Sequence, residues 1–491
     1  MKILLINPPD DLKNFLGQGK QFVPVLEPLG LLSIAATVRK AGYDVEVLDA
    51  FAMKLSTQAV KEIIAEKKYD VLGLTSFISN GDAVYEIGRW TKKNSPQTFV
   101  ILGNTQAYVY AEAYLKSDCC DCVVHGEGEE VFVEILQELE RKGDWRAIES
   151  LSCLRNGQYK APTEFAIVKD LTTLPLPARD LVNKAYYNFP SITNMPYSYR
   201  AGHVAKHMNT SRGCSFHCSF CAAPKEQGRR CYSLTQVSEE IKVLTETYQA
   251  EYVFFMDPIF AFDKKRVLEI CRMINQTNLK LRWGCEGHIH SVDEELISAM
   301  EAAGCHDISF GLESGVQRIL DSVDKGIKLD DIERRIKWIK KKTKIKVSGL
   351  FILGLPGEAY EDSLKTISFA KRLPLDMAQF SIFIPYPGSP LFYELSKKGE
   401  IDTGVRDDGS LDTSVWRRYS SYASFSGNDL VWVTKDLTAE KLKKLQRKAI
   451  RDFYLRPRQL FFQMQRFSLK ELPSVFSAFQ LVWGDSNGGK Q

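Results

Sequence analysis

The chain has 491 residues, 44% hydrophobic and 26% charged, with a formal net charge of +4 at pH 7. That length predicts two or three domains, each able to bury a core of its own. The mild charge gives no footprint for nucleic acid, no apolar run approaches the ~18 residues of a spanning helix, and an odd count of 11 cysteines does not fit a secreted disulfide framework. The composition reads as that of a protein from a reducing cytoplasm. The first residues, Met1–Pro9, are too short in apolar run for a signal peptide and end in a proline turn.

Residues 1 to about 142 alternate short apolar runs with amphipathic ones. Strands are expected at Lys2–Asn7, Asp44–Leu48, Val71–Thr75, Thr98–Gly103 and Cys122–His125. Helices are expected at Leu29–Ala41, Asp82–Asn94, Ala107–Lys116 and Glu129–Lys142. Such alternation predicts an α/β fold over 1–145, a flavodoxin-like doubly wound parallel sheet. Ligands of these sheets sit beyond the carboxyl ends of the strands. The loops in that position are Asn7–Asp10, Thr75–Phe77, Gly103–Gln106 and His125–Glu129. Cys119, Cys120 and Cys122 lead into a strand, where alternate side chains face opposite ways, so they are read as buried core.

From 146 to 200 the pattern changes to a linker with a hairpin at Asn156-Gly157. The tract Leu174-Pro175-Leu176-Pro177 breaks regular structure, and Tyr186–Tyr199 is expected to cover a substrate cavity. From 201 to 396 the alternation resumes with larger units. Strands are expected at Val204–Thr210, Tyr252–Asp257, Leu281–Cys285, Asp307–Gly311, Lys346–Gly354 and Met377–Ile384. Six such units predict a partial (β/α)6 barrel of the TIM type, with its site at the C-terminal mouth. There, Thr210–Cys221 carries Cys214, Cys218 and Cys221 spaced Cys-x3-Cys-x2-Cys. Thiolates are soft ligands that suit iron–sulfur clusters or zinc. A four-iron cluster usually takes four cysteines, so three leave one iron open, as reactive metal sites require. The alternative is a zinc knuckle that borrows His217 or a distant fourth ligand.

This stretch resembles the signature of radical S-adenosylmethionine (SAM) enzymes. The resemblance implies a [4Fe–4S] cluster on Cys214, Cys218 and Cys221, SAM chelating the open iron, and Phe220 near the adenine. Cleavage of SAM then gives a 5′-deoxyadenosyl radical. At the other strand ends it implies that Asp257 binds the amino group of SAM, that Glu313 and Ser314 reach its ribose or carboxylate, and that the loop ending at Gly354 lies beside its adenine. Pro258 stands where a second acid is common in the family, and His288 where arginine is common. For Glu313 and Glu358 the alternative is an acid paired with a helix N-terminus; His288 and His290 are expected as a surface pair.

The first 145 residues are similar to the cobalamin-binding domain that precedes many radical SAM cores. The similar pieces are Pro28–Leu32 with Leu29 and Gly30, the loop at Gly103 and Asn104, and Val124–Glu130 with Gly126, Glu127 and Gly128. Thr75 and Ser76 fall in the same row of loops. Asn104 departs from a second glycine that relatives often carry where backbone approaches the cofactor. All seven histidines lie at or after His125, so no earlier loop offers imidazole to cobalt; by resemblance this matches the methyl-transferring branch. A flavodoxin-like domain used for packing or substrate binding is the alternative.

Residues 397–491 no longer alternate and are expected to be mainly helical. Leu437–Phe453 reads as an amphipathic helix with basic residues on one side, followed by an aromatic, basic run to Phe467. The segment is expected to pack over the barrel or to lie in a membrane interface, and the tail Trp483–Gln491 to be disordered. Together the resemblances imply a cobalamin-dependent radical SAM methyltransferase acting on an unactivated carbon or phosphorus of a small-molecule or lipid substrate. They imply a cytoplasmic enzyme with an electron donor such as flavodoxin or ferredoxin, no nucleic acid partner, and peripheral membrane contact through the C-terminal region as a further expectation. The alternatives are an oxidative cyclase or ring-rearranging enzyme on a tetrapyrrole or isoprenoid, an RNA methylthiotransferase, and a non-catalytic cobalamin or SAM sensor. The crowded Cys119–Cys122 set and the mild charge argue against the RNA enzyme, and the open three-cysteine loop against the sensor.

Overall fold

The structure, a computed structural model, describes residues 1–10, 25–187, 204–223, 228–277, 281–426 and 429–460. Its first unit is one sheet of seven strands: β1 (Ile3–Asn7), β2 (Val45–Asp49), β3 (Val71–Thr75), β4 (Phe99–Gly103), β5 (Cys122–Val124), β6 (Leu151–Arg155) and β7 (Gln158–Lys160), in the order β2-β1-β3-β4-β5-β6-β7. The first five pair in parallel. Strands covered on both faces read as continuous apolar runs, and Ile3-Leu4-Leu5-Ile6 divides by alternation. Leu4 and Ile6 join one core with Leu72, Leu74, Val100 and Leu102, while Ile3 and Leu5 join the other with Val71 and Ile101.

Among the described residues six helices cover this sheet: α1 (Leu29–Lys40), α2 (Thr57–Lys67), α3 (Gly81–Asn94), α4 (Thr105–Val109), α5 (Ala111–Lys116) and α6 (Gly128–Arg141). Helix α2 was not among the expected elements. Its Ser56 side chain accepts from Ala59 N–H as an N-cap, and it buries Val60 and Ile64. The single helix expected over Ala107–Lys116 is two, joined at Tyr110.

The hairpin expected at Asn156-Gly157 is present, but it belongs to the first sheet rather than to a linker. Its two strands are β6 and β7, with Asn156 and Gly157 both at positive φ (52° and 77°), the geometry of a tight hairpin turn. β6 pairs antiparallel with β5, setting Cys153 opposite Cys122, and so extends the first sheet. The tract Tyr186–Tyr199 lies, from residue 188, outside the described residues.

The second unit opens with β8 (Ala205–Met208) and a small antiparallel ribbon, β9 (Ser211–Arg212) with β10 (Arg230–Cys231). β11 (Tyr252–Phe255), β12 (Arg282–Gly287), β13 (Cys305–Glu313), β14 (Lys346–Leu353) and β15 (Met377–Ile382) follow β8 in one curved parallel sheet, in chain order. Helices α7 (Leu234–Lys242), α8 (Lys264–Gln276), α9 (Glu294–Ala302), α10 (Gln317–Ser322), α11 (Leu329–Lys342), α12 (Tyr360–Arg372) and α13 (Pro390–Lys397) lie between or after these strands. Alternate strand residues such as Val253, Phe255, Trp283, Cys285, Ile308 and Phe310 pack with the helices in one core. This is the partial six-stranded barrel that the spacing of apolar runs predicts.

The C-terminal region stitches the two units together. A short helical turn at Thr413–Tyr419 buries Trp416 with ring centroids 5.0 Å from Tyr110 and 5.4 Å from Tyr114, both of the first unit. Beside it Arg417 bonds Asp82 at 3.0 Å. After α14 (Ser421–Ser426) comes α15 (Ala439–Tyr454), which buries Leu442, Leu445, Ala449 and Phe453 in the barrel core. Gln446 of α15 donates to Phe380 O of β15 at 2.8 Å. The basic, aromatic run continues outside the described residues from 461, as does Trp483–Gln491. Among the described residues no helix is long and apolar enough to cross a membrane.

A buried charge network also spans the units. Glu27, ahead of α1, pairs with Arg179 from the crossing segment and with Lys206 of β8, while Arg179 also reaches Glu240 of α7 at 2.7 Å. Burial pushes the Glu27 carboxyl up, but the two cations outweigh it and hold the group below the usual carboxylate range. His207 Nε2 donates to the Glu27 carbonyl at 3.1 Å, and burial depresses that imidazole to about 4, so it is neutral.

Candidate functional site

The carboxyl ends of the first sheet face the mouth of the barrel across a cavity of about 810 Å³, within the range of small-molecule and cofactor sites. Leu29, Gly30, Thr75, Gly103 and Asn104 line it from the first unit, and His207, Asn209, Arg212, Tyr232 and Met256 from the second. A Cβ built on Gly30 or on Gly103 meets no atom within 4 Å, so the backbone at both is bare toward the cavity.

Gly126 and Gly128 also line the cavity, but unlike Gly30 and Gly103 they are packed closely. A Cβ at Gly126 would run into Ala166 backbone, to which the residue is bridged, and one at Gly128 would lie 2.8 Å from Ile34. Glu127 lines the cavity with its carboxylate committed: Val168 N–H and Arg230 donate to it at 2.8 and 2.7 Å, and Arg212 lies 3.4 Å away. Ser76 is corrected as a cavity residue; it is buried, with its Oγ 3.3 Å from Tyr114 Oη. Asn104 stands at φ 78°, ψ 172°, a region otherwise almost confined to glycine. Its amide donates to Thr75 Oγ1 at 3.1 Å and its carbonyl accepts Thr105 N–H at 2.6 Å, capping α4.

The cysteine loop leaves β9 at the barrel mouth. Cys218 is buried, whereas Cys214 and Cys221 are half-buried. Ser219 anchors the loop twice, donating its N–H to Val323 O at 3.1 Å and accepting from Leu391 N–H at 3.0 Å. Phe216 stacks on His288, ring centroids 4.0 Å apart. His288 is therefore buried, 5% exposed, while His290 is exposed and 3.5 Å from Asp331. This corrects the expected surface pair. Phe220 is half-buried and packs on the core between the two units.

At the strand ends the structure redistributes the expected roles. Asp257 is buried, and its carboxylate accepts Thr210 N–H at 2.6 Å, Ser211 N–H at 3.0 Å and the Thr210 hydroxyl. It clamps the entry to the cysteine loop rather than facing the mouth. Ser314 is also turned away, its hydroxyl 3.2 Å from Thr366 Oγ1 and accepting from Val316 N–H. Gly354, at φ 81°, would place a Cβ 2.9 Å from Leu442, so α15 sets this position. Glu358 accepts Gly354 and Leu355 N–H, both at 3.0 Å, and the Ser363 hydroxyl; burial lifts it to about 7. Glu313 does stay at the mouth, paired with buried Lys325 at 2.7 Å. Arg212 and Tyr232, which line the cavity, and Lys325, paired with Glu313, are residues that the sequence reading missed; a lone Lys, Arg or Tyr carries no local signal.

Residues 20–136 match the B12 binding domain and residues 208–370 the radical SAM superfamily. The chain is 32% identical to an uncharacterized methyltransferase of Pyrococcus horikoshii, over 94% of each chain. It belongs to the radical SAM superfamily. Within that family it is 26% identical to an anaerobic magnesium-protoporphyrin IX monomethyl ester cyclase of Rubrivivax gelatinosus, over 82% of this chain and 71% of the relative. Its fold is that of TsrM, a radical SAM methyltransferase of Kitasatospora setae solved with cobalamin and a [4Fe–4S] cluster, at TM-score 0.69, 16% identity and 91% coverage of each chain. The chain is thus a radical SAM enzyme whose B12-binding domain precedes its radical SAM domain.

The residues present fit both groups that this family implies. Three soft thiols on one anchored loop, two of them half-buried at a barrel mouth, suit a cluster with an open iron. Among the described residues no group of three or more His, Cys, Asp or Glu is placed to hold a single metal ion. Bare backbone at Gly30 and Gly103 in the cavity suits a large cofactor lying on the strand ends.

Proposed function

We propose that this radical SAM enzyme transfers a methyl group to an unactivated carbon or phosphorus of a small-molecule or lipid substrate. Cys214, Cys218 and Cys221 would hold a [4Fe–4S] cluster with one iron open to SAM, and the bare backbone at Gly30 and Gly103 would take cobalamin. One observation carries the reading: a single cavity is walled by both units, so a cofactor on the first sheet faces the mouth that bears the cysteine loop. When bound, cobalamin supplies methyl-group transfer and the cluster supplies reductive cleavage of SAM.

The chain's own residues hold that arrangement. Arg212 reaches Glu129 at 2.6 Å and Tyr232 Oη at 3.0 Å, tying the strand that leads into the cysteine loop to the cofactor side of the cavity. Glu127 and Arg230 repeat the tie at 2.7 Å. Met256 and Phe77 offer exposed apolar wall to the same space. A low-potential donor such as flavodoxin or ferredoxin supplies the electron. Exposed Lys441 on the outer side of α15 supports peripheral contact with an anionic membrane surface, while Lys444 and Arg451 there are paired with Glu440 and Asp452.

The Rubrivivax relative supports a second reading, oxidative cyclisation, with the same cofactors. Product counting separates the two. Chain made anaerobically with cobalamin, reduced, and given SAM with cell-extract fractions is expected to form S-adenosylhomocysteine and 5′-deoxyadenosine in matched amounts, with a product heavier by one methylene. Formation of 5′-deoxyadenosine with no S-adenosylhomocysteine in any active fraction would favour cyclisation.

A further inference from the structure

The Lys325–Glu313 pair is the charged feature of the barrel mouth that the reading above leaves without a task. Lys325 is 8% exposed and its Nζ lies 2.7 Å from Glu313 Oε1. An ammonium has three N–H donors; Glu313 takes one, and no other acceptor meets Nζ among the described residues. Burying a cation with donors to spare is costly, so its position calls for another negative group.

The surrounding chain is built to keep it there. A Cβ on Gly311 would lie 2.8 Å from Lys325 Nζ and against Glu313 Oε1, so only glycine leaves room for the pair. Glu313 adopts φ 58°, a left-handed backbone uncommon for a non-glycine residue. Lys325 Nζ lies 5.9 Å from the ring centroid of Phe220, which stands between Cys218 and Cys221. Two residues before Lys325, Val323 O accepts the Ser219 N–H that anchors the cysteine loop.

We propose that Lys325 is a positioning residue for the iron–sulfur cluster: a fixed cation beside Cys218 and Cys221 that makes the cluster easier to reduce, with Glu313 opposing it. The inference rests on the proposed cluster assignment. Reduction adds one electron to the cluster, and a nearby positive charge stabilises the more negative form. Removing the cation should therefore lower the midpoint potential, and removing the carboxylate should raise it.

The test is a dye-mediated redox titration of the full chain, reconstituted anaerobically, with the reduced cluster read by electron paramagnetic resonance and iron counted in parallel. With dithionite as reductant and SAM absent, Lys325→Met should cut the reduced-to-oxidised ratio at a fixed dye potential about tenfold, ~59 mV for one electron. Glu313→Gln should move it the opposite way, and Lys325→Arg should restore it. A full-iron Lys325→Met cluster with the wild-type midpoint overturns the inference, as does a shift of both variants in one direction. An unchanged midpoint with weakened SAM binding reassigns Lys325 to ligand contact, and iron loss in both variants reassigns the pair to structure. A wild-type chain without a cluster overturns the proposed function and the inference with it.

Discussion

Asn104 shows at residue scale how a site departs from its local ideal. Its backbone lies in a region that costs roughly 1–3 kcal/mol for a non-glycine residue, offset by the bonds to Thr75 and Thr105. Asn104→Ala should keep the strain and lose the bonds, destabilising the chain by about 1 kcal/mol. Asn104→Gly should remove the strain and fall near or above the wild type. Urea denaturation of the two variants checks the order, and a less stable glycine variant would contradict it.

Glu358 gives a pH dependence with a definite sign. Its folded value of about 7 lies above the ordinary 4.5. The folded chain therefore keeps a proton that the unfolded chain releases, so this group's contribution is full below about 4.5 and is lost as pH rises toward 7. The loss is roughly 3 kcal/mol. Glu358→Gln should flatten that part of the stability curve, measured as the wild-type-minus-variant difference on either side of the window. The same residue shows what the sequence hides. A carboxylate after a strand can face the barrel mouth or cap its own loop, and Glu358 and Asp257 both turned inward because nearby N–H groups needed acceptors. The three cysteines were legible because their spacing is local.

At the scale of elements, legibility follows periodicity. α6 and α15 carry strong apolar stripes and lie close to their expected spans, whereas α2 sets few apolar residues among charged ones and is held by its cap and by tertiary packing. The hairpin was legible from Asn156-Gly157, but its place in the sheet depends on Cys122 meeting Cys153, a long-range pairing with no local trace. α15 packs against the last strand of the barrel sheet: Leu442 sits against Gly354, where φ 81° and a 2.9 Å approach exclude a side chain. Leu442→Ala should cost roughly 2–5 kcal/mol. Gly354→Ala should destabilise even in the Leu442→Ala background, because the backbone strain persists when the clash is gone. Thermal unfolding of the two single variants and the double variant checks this.

The whole molecule depends on how its two units meet, because the cavity has walls from both. Glu27, Arg179, Lys206 and Glu240 bury two charges of each sign at that junction. Glu27→Gln would take from Lys206 its carboxylate and leave Arg179 with Glu240, and breaking such a buried network costs roughly 3–5 kcal/mol. The expected outcome is a lower unfolding temperature together with weaker retention of a cofactor in the shared cavity.

The most direct test of the central claim is metal analysis of full chain made anaerobically with cobalamin supplied. The account predicts roughly four irons per chain and one cobalt, with Cys218→Ala losing iron while keeping cobalt. Iron without cobalt in the wild-type chain would contradict the assignment of the cavity, and with it the methyl-transfer function.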